Sequence, residues 1–524
     1  MLRLTGTPAS PGLARGPVFR LHAVERTLRR VASPQAERDA IAAAIAEARS
    51  ALATLADQAM DEEAAGILAF QLALLEDDEI TGPTHAAIRA GRSADEAWRQ
   101  VLDALVADYE SAEDTYFRGR AADLRDLRER VLDALLGGAQ QSIPAGSIVL
   151  AEDLAPSRFL ACDWAEGGLV LQRGGATGHV AILARARGVP MLVGVDLSHV
   201  EPCEEALLDA QDGCLVLGPD TPSRQDFERR RAAHVERARA DALHLAPKAS
   251  TASGERVDVL INVARPEELA GIDVNHVDGI GLVRTEFLFH DRERLPDEDE
   301  QYSVYRQIAK WASGRPVTIR TLDAGGDKPI AGLTRAGESN PFLGVRGVRL
   351  SLRRPEVLMV QLRALARAAV HGNVKVMVPM IALPDELERC RQLLAQAVGE
   401  LQASGVQAAM PPLGMMVEVP AAALTPADFD ADFYSIGSND LLQYLMAASR
   451  DEPELATLAA PGAAFWRLLE DMTNYGRAAQ REVSLCGDLA SDAQYVPQLL
   501  RRGLRTLSVA PAALASVKAA VRRS

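Results

Sequence analysis

The chain has 524 residues, of which 48% are hydrophobic and 25% charged, a composition typical of a globular protein with a large core. At about 100–200 residues per domain, this length predicts about two to four domains. A formal net charge of −15 argues against a general nucleic-acid-binding protein, because that role needs a basic surface. No apolar run approaches the roughly 18 residues of a membrane span. The five cysteines include no Cys-x-x-Cys pair, so we expect a reducing, cytoplasmic location with neither a disulfide framework nor a thiolate zinc site.

The first part of the chain contains two different patterns. Residues 1–24 predict short strands, broken by prolines and glycines. Helical periodicity then begins after Ser33-Pro34, continues through a capping box at Ser93–Glu96, and stops at Gly137-Gly138. We therefore predict an all-helical insertion over residues 25–138, which is either a purely structural bundle or a docking surface.

Short apolar strands resume after residue 142. They are predicted at Ile148–Ala151, Leu169–Leu171, Met191–Gly194 and Cys214–Leu217. Together with the strands before residue 25, they predict a small α/β domain made of residues 1–24 and 139–219. The charged segment that opens at Thr221-Pro222 has no apolar face, which indicates a solvated linker helix within residues 220–250.

A glycine-rich turn within this small domain presents a histidine. The predicted strand that ends at Leu171 runs into three glycines, and His179 follows them at the head of a segment with helical periodicity. The free N–H groups at a helix N-terminus disfavour an imidazolium and attract anions, so a neutral His179 can face a phosphate. This is the state that a nucleophilic histidine needs. The alternative is that His179 is an ordinary polar residue of the turn.

Residues 251–524 alternate short apolar runs with helical stretches. We count eight strand candidates: Val257–Val263, Gly279–Val283, Val317–Leu322, Lys375–Met380, Leu413–Val419, Phe433–Ile436, Val483–Leu485 and Thr506–Val509. Eight β/α units in about 270 residues predict a TIM barrel, whose active site lies at the C-terminal ends of the strands. The polar residues at those ends are Arg284, Arg320, Asp323, Glu418, Asn439, Asp440 and Cys486. Each has the alternative of ordinary loop polarity, but their common position predicts one site.

The turn before His179 carries a recognisable motif. Gly174–Arg185 resembles the phosphohistidine signature of the phosphoenolpyruvate-using enzymes, which include enzyme I of the bacterial sugar phosphotransferase system, phosphoenolpyruvate synthase and pyruvate phosphate dikinase. Gly178 replaces the Ser, Thr or Cys that is usual in the signature, and Ala155 stands where a Thr is common. Both changes remove hydroxyl or thiol groups that accompany the histidine ring in the family.

The resemblance to enzyme I covers almost the whole chain. The predicted barrel contains matching motifs at Gly281–Phe289, Ile319–Lys328, Asn340–Arg346, Gly414–Ala423, Ser435–Tyr444 and Cys486–Asp488. In the helical insertion, Leu74–Glu79 and Arg120–Asp126 resemble segments with which enzyme I docks its carrier protein. The resemblance therefore implies a swivelling phosphohistidine α/β domain with an inserted helical bundle, a linker helix and a C-terminal (β/α)8 TIM barrel.

The resemblance also implies a reaction and its residues. Phosphate passes from phosphoenolpyruvate to His179 and then to a histidine of a small phosphocarrier protein, in a cytoplasmic homodimer. Forked arginines suit a substrate that carries a phosphate and a carboxylate. The residues expected to bind the substrate are Arg284, Arg320, Arg346, Asn439 and Arg450. Glu418 and Asp440 offer hard oxygen ligands for Mg²⁺, and Cys486 is the candidate acid that protonates the enolate of pyruvate.

Two alternatives remain open at this point. A phosphoenolpyruvate synthase or dikinase shares the motifs, but it needs a nucleotide-binding domain, and the chain contains no Gly-x-x-x-x-Gly-Lys loop. A non-catalytic regulatory relative would keep the fold and bind phosphoenolpyruvate or the carrier without turnover. The intact set of strand-end residues favours the enzyme.

Overall fold

The computed structural model of the chain describes all residues except 22–31, 58–61, 112–114, 137–141, 176–177, 199, 247, 290–293, 327–329, 331, 336–337, 450–454, 456–457 and 459. The described residues form two compact units, Met1–Ala233 and His234–Ser524. Within these described ranges, no helix combines the length and the apolar character that a membrane span requires. The finer division into four parts stays a prediction.

The first unit is built on one eight-stranded sheet. Its strands are β1 (Leu2–Thr5), β2 (Thr7–Ser10), β3 (Leu13–Arg20), β4 (Ile148–Ala151), β5 (Gly168–Leu171), β6 (Met191–Val193), β7 (Glu205–Asp209) and β8 (Cys214–Leu217). They lie in the order β1-β8-β7-β3-β4-β5-β6-β2. The central strands β3, β4, β5 and β6 are parallel, whereas the outer pairs are antiparallel. The strands before residue 25 therefore complete the sheet, as predicted.

The predicted helical insertion lies between β3 and β4. Its helices are α1 (Pro34–Asp57), α2 (Glu62–Glu76), α3 (Asp78–Arg89), α4 (Ala94–Ser111) and α5 (Thr115–Leu136). The buried carboxylate of Glu37 in α1 joins this helix to α4, because it accepts a hydrogen bond from the backbone N–H of Ala94, the first residue of α4. It also accepts from the backbone N–H of Ala32, just before α1. One hydrophobic core holds the bundle against the sheet, with Trp98 and Leu127 of the bundle and Val149 and Leu169 of the sheet among its buried members. The predicted stop at Gly137-Gly138 lies outside the described residues.

Three further helices complete this part of the chain: α6 (Pro156–Ala161), α7 (His179–Arg187) and α8 (Thr221–Ala242). The boundary between the two units falls within α8. Its mostly exposed, charged surface agrees with the predicted linker helix, and its end at Ala242 lies within the predicted range 220–250.

The second unit is a closed barrel of eight parallel strands, as predicted. The strands are β9 (Asp258–Val263), β10 (Ile280–Val283), β11 (Val317–Arg320), β12 (Val374–Val378), β13 (Leu413–Val417), β14 (Phe433–Gly437), β15 (Glu482–Cys486) and β16 (Thr506–Val509). Each pairs with its neighbour in chain order, and β16 pairs with β9 to close the barrel. Most residues of these strands are buried, which explains why their sequences are nearly continuous apolar runs.

Helices cover the outside of the barrel and connect its strands. They are α9 (Glu298–Trp311), α10 (Val348–Arg353), α11 (Pro355–Ala368), α12 (Pro384–Ala403), α13 (Pro420–Leu424), α14 (Ser438–Met446), α15 (Ala463–Ala479), α16 (Asp488–Ser491), α17 (Val496–Arg501) and α18 (Leu514–Arg523). This arrangement brings the C-terminal ends of all eight strands to one rim, where the active sites of such barrels lie.

Candidate active site

The histidine of the glycine-rich turn heads a helix, as predicted. Helix α7 begins at His179, and the residue before it, Gly178, offers no side-chain cap to the first N–H groups. A Cβ atom at Gly178 would lie only 3.3 Å from the Gly175 carbonyl oxygen. Glycine therefore suits this backbone, and the helix N-terminus stays open to a ligand. The side chain of His179 lies outside the described part of the structure.

The barrel rim collects the predicted strand-end residues. Arg320 and Cys486 are the last residues of β11 and β15, and Glu418 directly follows β13. Asp440 lies in the first turn of α14, which begins directly after β14. The rim therefore carries guanidinium, carboxylate and thiol groups from four different strands, which is how barrel enzymes assemble a site.

Arg346 is the centre of the charged cluster at the rim. Its Nε and Nη2 atoms donate to the two oxygens of Asp323, each over 3.0 Å. Its Nη1 and Nη2 atoms donate to the two oxygens of Asp440, each over 3.1 Å. Nη1 also donates to the hydroxyl of Tyr444 over 3.3 Å. An arginine has five N–H groups, so all of them are used, and the side chain is 0% exposed.

Arg320 lies beside this cluster, but among the described residues one of its N–H groups has no hydrogen-bond partner. Its Nη2 atom donates to Oε1 of Glu286 over 2.8 Å, and its Nη1 atom lies 3.2 Å from Oδ2 of Asp323. The Nε atom is buried and has no hydrogen-bond partner among the described residues. An unpaired buried N–H of a cation costs free energy unless a ligand oxygen accepts from it. Arg320 therefore retains a donor that suits a phosphate or carboxylate.

Glu418 is a buried carboxylate in a repulsive environment. Its Oε1 atom accepts from the backbone N–H of Met380 over 2.7 Å. Burial, together with the negative charges of Asp440 and Asp323, raises the pKa of Glu418 to about 8. The backbone approaches closely here, because a Cβ atom at Gly437 would lie 3.0 Å from Oε2 of Glu418. Glycine at this position leaves the Oε2 side of the carboxylate room for another group.

The charge balance of the cluster fits a bound cation. The buried side chains of Glu286, Asp323, Glu418 and Asp440 face those of Arg320 and Arg346, which leaves a formal charge of −2 when all six are ionised. In the part of the chain that the structure describes, no group of three or more His, Cys, Asp or Glu residues forms a metal site. Buried carboxylates are hard oxygen donors, and a hard divalent cation can be held by one or two of them, with water and substrate oxygens at its remaining positions.

The remaining predicted substrate residues occupy different environments. Arg284 follows β10 with an exposed side chain, and among the described residues it has no side-chain hydrogen bond. Asn439 donates from Nδ2 to Oδ2 of Asp488 over 3.1 Å and accepts from the Asp488 backbone N–H over 3.0 Å. Asn439 is therefore held by the first residue of α16 rather than by the arginine cluster. Arg450 lies outside the described residues.

Cys486 lies in the interior of the barrel, close to the rim. It belongs to a small buried cluster with Leu282, Met377, Met416 and Phe433. Its sulfur donates to the Ile436 carbonyl oxygen over 3.5 Å. Burial raises the pKa of the Cys486 thiol to about 11, so it carries its proton at neutral pH. A protonated thiol can act as an acid, but the apolar neighbours also suit a packing role.

Two residues of the site were not singled out from the sequence. Glu286 is buried and accepts from both Arg320 and the Asp323 backbone N–H. Tyr444 accepts from Arg346 and donates to the Phe342 carbonyl oxygen over 2.6 Å, which ties α14 to the Asn340–Leu343 segment. Glu286 lies in the motif Gly281–Phe289 and Tyr444 in the motif Ser435–Tyr444, but nothing in their spacing distinguishes them from ordinary helix or loop residues.

Comparisons with known proteins agree with this architecture. The family described as "PEP-utilising enzyme, PEP-binding domain" matches residues 238–524, where PEP is phosphoenolpyruvate. The corresponding N-terminal and mobile domains match residues 5–120 and 143–213. A phosphoenolpyruvate-protein phosphotransferase of Geobacillus stearothermophilus is 35% identical over 99% of this chain and 92% of its own length. The chain belongs to the phosphoenolpyruvate-protein phosphotransferase family. The resemblance to enzyme I is thereby confirmed.

Two further relatives and one solved structure are also similar to parts or all of this chain. A phosphoenolpyruvate-protein phosphotransferase of Priestia megaterium is 34% identical over 99% of this chain and 94% of its own length. A multiphosphoryl transfer protein of Xanthomonas campestris is 37% identical over 99% of this chain but only 63% of its own length. The NMR solution structure of Enzyme I is 26% identical, with a TM-score of 0.38, over 44% of this chain and 99% of that structure.

Proposed function

We propose that this chain is a phosphoenolpyruvate-protein phosphotransferase. It transfers phosphate from phosphoenolpyruvate to its own His179 and then to a histidine of a small carrier protein, and it releases pyruvate. The observation that carries the proposal is the near full-length similarity to proteins of that name, at 35% identity over 99% of the chain. The partly unsatisfied Arg320 at the rim adds support. The alternatives, a synthase or dikinase and a non-catalytic relative, gain no support from the comparisons.

The substrate would bind at the rim through its two anionic groups. Among the described residues, the exposed Arg284 has no side-chain hydrogen bond and Arg320 keeps one buried N–H without a partner, so both can donate to a phosphate or a carboxylate of the substrate. Asn439 and Arg450 complete the proposed substrate contacts. Phosphoryl transfer depends mainly on positioning and on stabilising charge, and cations fixed by buried carboxylates provide both.

The attacking group is the proposed nucleophile at the head of α7. At a helix N-terminus the imidazole of His179 is favoured in its neutral form, which leaves a ring nitrogen free to attack phosphorus. The open N–H groups of the first turn then stabilise the new phosphate. The transfer forms an N–P bond and breaks the O–P bond of the substrate. Its leaving group is the enolate of pyruvate, and Cys486 supplies the proton that the enolate carbon takes up.

Enzymes of this class generally use a divalent metal, and Mg²⁺ is the ion that we propose here. Glu418 and Asp440 would hold it, because both are buried hard-oxygen donors in a cluster with excess negative charge. When bound, Mg²⁺ would neutralise negative charge on the substrate oxygens. We further propose that the protein is a cytoplasmic homodimer and that Leu74–Glu79 and Arg120–Asp126 of the helical bundle form the docking surface for the carrier.

The proposal is tested by incubating the protein with labelled phosphoenolpyruvate, Mg²⁺ and a panel of small histidine-containing carrier proteins. We expect label on the protein without any nucleotide, followed by loss of that label to one carrier when the carrier is added. A requirement for ATP or AMP would point to a synthase or dikinase. Binding of phosphoenolpyruvate with no release of pyruvate would point to a regulatory protein.

A first variant separates acid catalysis by Cys486 from packing. Cys486→Ser keeps the volume nearly constant but supplies a much weaker acid, so we expect pyruvate release per folded molecule to slow by about 100-fold or more. Phosphoenolpyruvate binding should persist. The measurement pairs single-turnover pyruvate release with a thermal melt of the same preparation.

The matched control is Cys390→Ser in α12. Cys390 is also buried, at 1% exposure, and burial raises its pKa to about 12, but it lies in an outer helix. We expect this control to lower the melting temperature and to spare the rate, because a buried apolar site becomes polar. If Cys486→Ser behaves in the same way, Cys486 is a packing residue and the acid is another group at the rim.

A further inference from the structure

We infer that Arg346 is a positioning residue, which orients the metal ligand Asp440 rather than contacting the substrate. The inference rests on the proposed function, since it concerns the metal side of the same site. It assigns Arg346 a different role from the substrate contact that its motif predicts. Three observations carry it: the use of all its donors, its complete burial, and the identity of its partners.

The donors of Arg346 are already used by the protein. Its guanidinium forms two parallel pairs of hydrogen bonds, one with the carboxylate of Asp323 and one with that of Asp440, and a fifth bond to Tyr444. A substrate oxygen would have to displace one of these charged partners. Because the side chain is 0% exposed, the displaced carboxylate would remain buried without its counter-ion, which is strongly destabilising.

Arg320 provides the contrast within the same cluster. Its Nε atom is buried and has no partner among the described residues, whereas every N–H of Arg346 has one. The two neighbouring arginines differ in how many of their N–H groups already have partners, and this difference suits them to different roles. Arg320 has a donor for a ligand, and Arg346 holds protein groups in place.

The partners of Arg346 show what it orients. A guanidinium is planar, so two bidentate pairs hold Asp323 and Asp440 on two of its edges. Asp323 in turn lies 3.2 Å from Nη1 of Arg320. Arg346 therefore connects the arginine that is free to bind an anion with the carboxylate proposed to bind the metal. Groups that orient a metal ligand in this way typically change metal affinity by 10–100-fold when they are altered.

Tyr444 extends the same arrangement to the loop after β11. Its hydroxyl accepts from Arg346 and donates to the Phe342 carbonyl oxygen. The Arg346 guanidinium carbon also lies 5.8 Å from the centroid of the Phe342 ring. The loop and α14 therefore meet at the guanidinium, which holds Asp440 in the first turn of that helix.

The test compares Arg346→Lys with Arg284→Lys. Lysine keeps the charge but cannot form two bidentate pairs. The binding of Mg²⁺ is measured by calorimetry without phosphoenolpyruvate, and the KM for phosphoenolpyruvate is measured at saturating Mg²⁺. For Arg346→Lys we expect the Kd for Mg²⁺ to rise by about 10–100-fold, with activity partly restored by excess Mg²⁺. For Arg284→Lys, whose side chain is proposed to contact substrate, we expect a raised KM for phosphoenolpyruvate and an unchanged Kd for Mg²⁺.

The opposite pattern overturns the inference. If Arg346→Lys binds Mg²⁺ like the wild type but loses affinity for phosphoenolpyruvate, Arg346 contacts the substrate. If Arg346→Lys does not fold, Tyr444→Phe is used instead, because it removes one acceptor of Arg346. A several-fold rise in the Kd of this variant for Mg²⁺ supports the inference, and an unchanged Kd contradicts it. Failure of the wild type to bind Mg²⁺ at all would instead contradict the metal site of the proposed function.

Discussion

Replacing His179 by alanine is expected to abolish phosphorylation of the protein by phosphoenolpyruvate. The variant lacks the proposed nucleophile, so pyruvate release should fall by about 1000-fold or more. The fold should persist, because α7 is anchored by buried residues such as Val180 and Leu183 and ends at Gly188 in the left-handed conformation. The measurement is phosphoenolpyruvate-dependent phosphate incorporation, with a thermal melt of the same sample.

His244→Ala is the matched control for this variant. His244 lies beyond the end of α8, is partly exposed and belongs to no motif quoted for the site. We expect it to incorporate phosphate like the wild type. Undiminished phosphate on His179→Ala would place the phosphorylated residue elsewhere and remove the basis for the proposed reaction.

Replacing Glu418 by glutamine is expected to remove metal-dependent turnover. Glutamine keeps an oxygen that can accept from the Met380 N–H, but it removes one of the two proposed anionic ligands. We expect the Mg²⁺ concentration for half-maximal activity to rise by about 100-fold or more, and the stabilisation of the protein by Mg²⁺ to disappear. The measurements are a Mg²⁺ titration of activity and thermal melts with and without Mg²⁺.

The stability of the metal-free protein should also depend on pH, in a direction that the pKa of Glu418 sets. The pKa of Glu418 is raised from an ordinary value near 4.5 to about 8, so the folded state holds this proton more tightly than the unfolded state does. The wild type should therefore lose stability as the pH rises from about 4.5 to about 8, and Glu418→Gln should lack this contribution. Glu482→Gln, at the exposed start of β15, is the control that should behave like the wild type. Equal Mg²⁺ stabilisation of Glu418→Gln and the wild type would show that Glu418 is not a ligand.

The barrel could be predicted because its strands are buried. Parallel strands that are covered on both faces consist of short, nearly continuous apolar runs, and the eight predicted runs overlap the eight observed strands. The differences lie at the ends: the predicted run Leu413–Val419 corresponds to a strand that stops at Val417, because the chain leaves the barrel there to form the site. The positions of Glu418 and Asp440 followed from this pattern, since active sites of barrels lie at these strand ends.

Strand β7 was missed for a local reason. Its apolar part, Ala206–Leu208, is only three residues long, and acidic residues stand at both of its ends, Glu205 and Asp209. The strand exists because it pairs with β3 on one side and β8 on the other. Such pairing depends on segments far away in the chain, so the short run alone could not indicate it.

The environment of Arg346 could not be predicted from the motif that contains it. Its partners Asp323 and Asp440 lie 23 and 94 residues away in the sequence. A motif identifies a cation near the rim but not whether its donors face a ligand or other side chains. The same limit applies to Cys486, whose burial among the side chains of other strands appears only once the barrel is closed.

Phosphorylation of His179 by phosphoenolpyruvate can be observed by mapping the phosphate on the wild-type protein. The protein is incubated with phosphoenolpyruvate and Mg²⁺, without nucleotide or carrier, and the sample is divided between peptide mass spectrometry and a pyruvate assay. We expect an acid-labile phosphate on the peptide that contains His179, with one pyruvate released for each phosphate bound. Pyruvate release without phosphate on His179, or no reaction until a nucleotide is added, would contradict it.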